Sequence, residues 1–119
     1  MPDLTRQDVI RILAVTEHAR LSGVDLSGLD LHGLNFSGAD LIRANLSGAN
    51  LSQCYMRGAI LESANLGGTV FSGANLKEVN LKGANLRGAD LSKANMTDTN
   101  LYLADLEGAR MEGVVGFAR

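Results

Sequence analysis

From Gly73 to Asp98 the chain reads GANLKEVNLKGANLRGADLSKANMTD, with a large apolar residue at every fifth position. The register runs far beyond that stretch. Its centres are Leu21, Leu26, Leu31, Phe36, Leu41, Leu46, Leu51, Met56, Leu61, Leu66, Phe71, Leu76, Leu81, Leu86, Leu91, Met96, Leu101, Leu106 and Met111, all 19 of them Leu, Phe or Met. Two positions before the centre stands Ala in 12 of 19 cases. Val24, Leu29, Leu34, Cys54, Thr69, Val79 and Thr99 fill the others. The residue just before the centre is Asn or Asp in 14 of 19, and the second residue after it is Gly in 12 of 19. A period of five fits neither a 3.6-residue helix nor the sustained alternation of a long strand.

Within one unit the small residue and the centre are two apart, so in an extended segment they point to the same side. The Asn or Asp between them points away. The other two residues must turn the chain, and Gly at the second tolerates the positive φ of a type II turn. Each unit is therefore a very short extended side followed by a corner. Repeated corners of one sense close a coil, and coils stack into a solenoid. With four sides per coil, positions 20 apart stack, and Gly28, Gly48, Gly68, Gly88 and Gly108 form an unbroken column.

A solenoid exposes its core at both ends. At the N-terminal end Thr5 is a helix N-cap, Asp8 completes a variant of the capping box, and Leu4 with Val9 makes a hydrophobic staple. The pattern predicts a helix from about Arg6 to Glu17, with Val9, Ile12, Leu13 and Thr16 on one side and Ile10 beside them. It is expected to lie over the first coil, where Val24, Leu29 and Leu34 replace the usual Ala. At the other end Gly116 stands where a centre is due. The expected organisation is a capping helix over residues 1–18, the repeat over 19–113, and a C-terminal cap or dimer contact over 114–119.

Composition narrows the chemistry. In 119 residues there are 14 Gly but one Pro, which suits repeated turns rather than disorder. A formal charge of −2 is too balanced for a protein held to nucleic acid by phosphate contacts. Lys77, Lys82, Arg87 and Lys93 spread around one coil instead of forming a groove. No basic n-region followed by an apolar run opens the chain, and no apolar run approaches membrane-spanning length. The expected location is cytoplasmic. Cys54, the only cysteine, occupies an inward position and reads as a buried, inert thiol. His18 and His32 have no ligand partners at metal spacing. The serines after the centres, such as Ser47, belong to turn chemistry. These residues point to no enzyme, no cofactor or metal, and no small-molecule substrate.

The repeat resembles that of the pentapeptide-repeat proteins, A-(N/D)-L-x-x, over residues 19–113. The resemblance implies an all-β solenoid: a right-handed quadrilateral β-helix of 19 pentads. It also implies that some relatives protect DNA gyrase as dimeric, acidic mimics of DNA. This chain departs from that picture, with 11 basic against 13 acidic residues. The leading expectation is a non-enzymatic scaffold or protein–protein interaction module with an unknown protein partner. The alternatives are a gyrase or topoisomerase inhibitor and a purely structural rod.

Surface departures suggest where a partner would bind. Tyr55, Ile60 and Val70 replace Asn or Asp on the outer wall. Ile42, Tyr55, Ile60, Tyr102 and Leu103 are the candidate partner surface. Val114, Val115 and Phe117 are candidate contacts of a homodimer joined through the C-terminal end, an assembly the family resemblance also implies.

Overall fold

The computed structural model describes residues 2–117. Met1, Ala118 and Arg119, which fall in the expected 1–18 and 114–119 segments, lie outside the described residues. Parallel bridges join residues 20 apart, from Arg20↔Asp40 to Asn95↔Val115, so one turn of the chain is four pentads. Four walls result. The first carries Arg20, Asp40, Ile60, Asn80 and Asn100. The second runs from Asp25 to Asp105, and the third from Asp30 to Arg110. The fourth carries Asn35, Tyr55, Asn75, Asn95 and Val115. The stack measures 35 × 26 × 21 Å along its principal axes.

One wall residue shows how coils are joined. Asp40 N–H donates to the Ala19 carbonyl at 2.8 Å, and Leu21 N–H donates to the Asp40 carbonyl at 2.8 Å. Two residues on, Gly23 N–H donates to Ile42 of the next coil at 2.9 Å. Each corner closes with a bond such as Val24 N–H to the Leu21 carbonyl. The third residue of every such turn has positive φ, as type II geometry requires. Twelve of these 19 corners are Gly. The others are Arg43, Gln53, Ser63, Glu78, Lys93, Asp98 and Leu103.

The recurring Asn or Asp has a specific task. All 14 accept, through Oδ1, the backbone N–H two residues on, as Asn45 does from Ser47 at 3.1 Å. This Asx turn satisfies the corner's first N–H from within the pentad. The Ser27 hydroxyl, then its N–H, hold the Asp25 carboxyl below the usual range. The Ser92 hydroxyl and N–H do the same for Asp90. The Glu107 N–H and Arg87 lower Asp105.

The centres from Leu21 to Met96 are buried, and the small residues beside them leave room for the stack. Where that residue is polar, it donates to a centre's carbonyl in the preceding coil. Cys54 Sγ donates to Leu31 at 3.0 Å, Thr69 Oγ1 to Leu46 at 2.7 Å, and Thr99 Oγ1 to Leu76 at 2.8 Å. Burial pushes the Cys54 thiol up to about 11, which favours the protonated thiol at neutral pH.

Helix α1 spans Arg6–Val15 and covers the first coil. Its capping box is complete, with Thr5 Oγ1 accepting Asp8 N–H and the Asp8 carboxylate accepting Thr5 N–H. Those bonds, the backbone one first, lower the Asp8 carboxyl. Val9 is fully buried, and Leu4, Ile12 and Leu13, like the enlarged Val24, Leu29 and Leu34, are partly buried against the core. The helix ends two residues short of the expected Glu17. Thr16 is extended at φ −146° and exposed, because the chain must straighten there to enter the first wall.

Candidate interaction surface

The candidate residues fall into two groups. Ile42 and Ile60 lie on adjacent coils of the first wall, and both are half-buried. Tyr55, one corner before Ile60, is 59% exposed. Tyr102 lies three coils beyond Ile42 in the same column, with Glu62 and Lys82 between. The surface expected from the sequence is therefore not one patch.

Departure from Asn or Asp has a local cost. At Tyr55, Ile60 and Val70 no Asx oxygen accepts the N–H of Arg57, Glu62 or Ser72. A bond worth about 1 kcal/mol net is forgone at each. The Arg57 guanidinium, a separate group from that N–H, reaches Glu78 at 2.7 Å.

The second group is denser. Tyr102 is 65% exposed and Leu103 is 70% exposed, and Leu103 holds φ 61°, an unusual backbone for a large side chain. They stand on the last coil, beside its open end. There Leu101, Leu106 and Met111 are only half-buried, and among the described residues their N–H groups have no backbone acceptor. Val114 packs on the core, Val115 extends the fourth wall, and Phe117 is exposed. Gly116 has positive φ, and its backbone lies so close to that of Thr97 that a side chain would not fit.

Two features of the other end were not expected from the sequence. Val15 is largely exposed at the end of α1. Arg6 turns back to the third wall, where it donates to the Asp30 carbonyl at 2.7 Å. A charged residue in a helix's first turn carries no sequence mark of such a contact. Beside it, the His32 ring and N–H lower the Asp30 carboxyl.

Among the described residues no group of His, Cys, Asp or Glu is arranged to hold a metal, and no helix is long and apolar enough to cross a membrane. The surface offers contact area and hydrogen-bonding edges.

A family model described as pentapeptide repeats matches in eight copies, over residues 19–58, 35–73, 54–92 and 74–113. Among solved structures, HetL from the cyanobacterium Nostoc sp. strain PCC 7120 is a pentapeptide-repeat protein involved in heterocyst differentiation regulation. It is 32% identical over 81% of this chain and 52% of its own, with a TM-score of 0.60. Rfr23 from the cyanobacterium Cyanothece 51142 is 34% identical over 79% of this chain and 65% of its own, with a TM-score of 0.56. The chain thus spans less than two-thirds of either protein. Trypsin-treated QnrB1, a plasmid-mediated fluoroquinolone resistance protein, shares the fold at 20% identity and a TM-score of 0.56, over 80% of this chain and 59% of its own. No curated protein matches. The architecture in common is the right-handed quadrilateral β-helix.

Proposed function

The chain belongs to the pentapeptide-repeat family, and on that premise we propose that it is a non-enzymatic protein–protein interaction module whose C-terminal end binds a second copy of itself. One observation carries this reading. Of the six large apolar residues most exposed on the described surface, Tyr102, Leu103, Val115 and Phe117 gather at the C-terminal end. They border half-buried centres and backbone N–H groups that no described residue accepts. Exposed apolar surface and an open sheet edge at one end favour association. A two-fold contact uses the same patch twice.

Gyrase protection finds less support. The likeness to QnrB1 is too distant to carry more than fold, and the charge is nearly balanced.

Light scattering over a range of concentrations tests the proposal. The expected result is a rise from the 12.6 kDa monomer mass toward twice that value. Phe117→Asp should move the rise to higher concentration. A wild-type chain that stays monomeric throughout contradicts the reading.

A further inference from the structure

The first coil has no coil before it, so its backbone needs partners from elsewhere. The fourth wall shows what one coil takes from the coil before it. Tyr55 N–H donates to the Leu34 carbonyl at 3.0 Å. Phe36 N–H donates to the Tyr55 carbonyl at 2.6 Å, and Gly38 N–H to the Arg57 carbonyl at 3.0 Å. A wall residue's N–H and C=O and the carbonyl two residues on are thus all used.

On two walls of the first coil the N-terminal segment imitates that missing coil. At the second wall Asp3 N–H donates to the Asp25 carbonyl at 2.7 Å, and its carboxylate accepts Asp25 N–H at 2.9 Å. At the third wall the Arg6 guanidinium donates to the carbonyls of Asp30 and His32, at 2.7 and 3.4 Å. On the fourth wall the equivalent groups are Asn35 N–H and the carbonyls of Asn35 and Ser37. None has a partner among the described residues. Among the described residues the first wall's edge at Arg20 is also open, and the fourth lies against a cleft of about 420 Å³ lined by Ile10, Leu13, Ala14 and Leu34 from α1 and the coil. Glu17 also lines it and has no ion pair among the described residues.

We propose that this edge receives an extended segment of a partner protein, with an apolar side chain in the cleft and a Lys or Arg beside it. The backbone order fits a parallel strand. One carbonyl of the segment accepts Asn35 N–H, and the N–H two residues on donates to the Asn35 carbonyl. Beyond that the chain's own His18, 3.3 Å from the Gly38 carbonyl, ends the open edge. Side chains alternate along such a strand, so a residue next to a paired one turns toward the cleft. Main-chain bonds supply affinity and the pocket supplies selectivity. The unpaired Glu17 carboxylate complements the basic residue. The proposal rests on the reading of the chain as an interaction module but uses the end opposite the self-association surface.

Short linear peptides selected from a display library on the full chain provide the probe. Binders should share an apolar residue next to Lys or Arg. Ala14→Arg blocks the cleft from an exposed helix position, where Arg is nearly as good a helix former as Ala. It should weaken binding by about tenfold or more, equivalent to about 1.4 kcal/mol, with the melting temperature unchanged. Glu17→Gln should weaken the basic peptides. An N-methyl scan should lose binding at the one residue that donates to Asn35, and bound peptide should slow Asn35 amide exchange. Failure to select any peptide, or binding that survives Ala14→Arg, overturns the proposal. So does Asn35 protection that rises with chain concentration alone, which would seat a second copy there. Self-association through the C-terminal end is untouched by Ala14→Arg, so the two readings fail separately.

Discussion

The two ends of the β-helix expose the same kind of core and treat it differently. At the N-terminal end Val9 is completely buried, α1 lies over the enlarged residues of the first coil, and Asp3 and Arg6 replace a missing coil's hydrogen bonds. At the C-terminal end Leu101, Leu106 and Met111 are half-buried, and Val115 is 58% exposed. Covering apolar centres is therefore only half of ending a β-helix. The other half is finding donors and acceptors for a sheet edge, which side chains of a docked helix can supply. Where both are done, at the second and third walls of the first coil, the edge is closed, and where neither is complete the end is suited to contact.

Substitutions in the middle and at the ends should separate these contributions. The largest effect is expected at Leu61, fully buried between complete coils. Leu61→Ala should cost about 2–5 kcal/mol, and the half-buried Leu106 clearly less, because its site is already partly open. Denaturant midpoints for the two variants give the comparison, and equal losses would mean the last coil is as closed as the middle.

Arg6→Ala removes two charge-assisted bonds from the sealed end and should cost about 1.5 kcal/mol. Thr5→Ala removes the helix cap at a cost of about 1 kcal/mol. If thermal melts show neither change, the N-terminal seal is not what holds the first coil.

Leu103→Gly should work in the opposite direction. It relieves a positive φ at an exposed corner, and the gain is about 0.5 kcal/mol after the added flexibility of Gly. The same change should weaken self-association. A variant that is destabilised while dimerising normally would place Leu103 in the wrong role.

Acid should act most on the sealed end, though each exposed carboxyl contributes little. Asp8, Asp25 and Asp30 have lowered pKa values there, against Asp90 and Asp105 farther along. A lowered folded-state pKa gives stability that is present above the unfolded value near 3.9 and is lost as pH falls through the folded one. Melting temperature should therefore fall below about pH 4, and residue-resolved spectra should show the first coil and α1 loosening before the middle coils. Loss that begins in the middle would contradict this assignment.

The walls and core were legible in the sequence because one period sets every inward position, and even Cys54 and Thr69 obey it. The helix cap was legible because Thr5 and Asp8 are local neighbours. The edge contacts of Asp3 and Arg6 were not, since they depend on where α1 lands in three dimensions. The far limit of α1 was misplaced for a related reason: Thr16 fits the helical pattern, but the first wall pulls it straight. The scattered Ile42, Tyr55, Ile60, Tyr102 and Leu103 could be picked out as departures from the repeat. Their division into two groups follows from the 20-residue turn, which stacks Glu62 and Lys82 between Ile42 and Tyr102.

Native-state amide hydrogen exchange in dilute, monomeric protein tests the inequality of the two ends most directly. The amides of Leu21, Leu26 and Leu31 are bonded to the second coil beneath the helix cap, and they should exchange slowly. Those of Leu101, Leu106 and Met111 should exchange quickly. Equal protection at the two ends under these conditions would contradict the account.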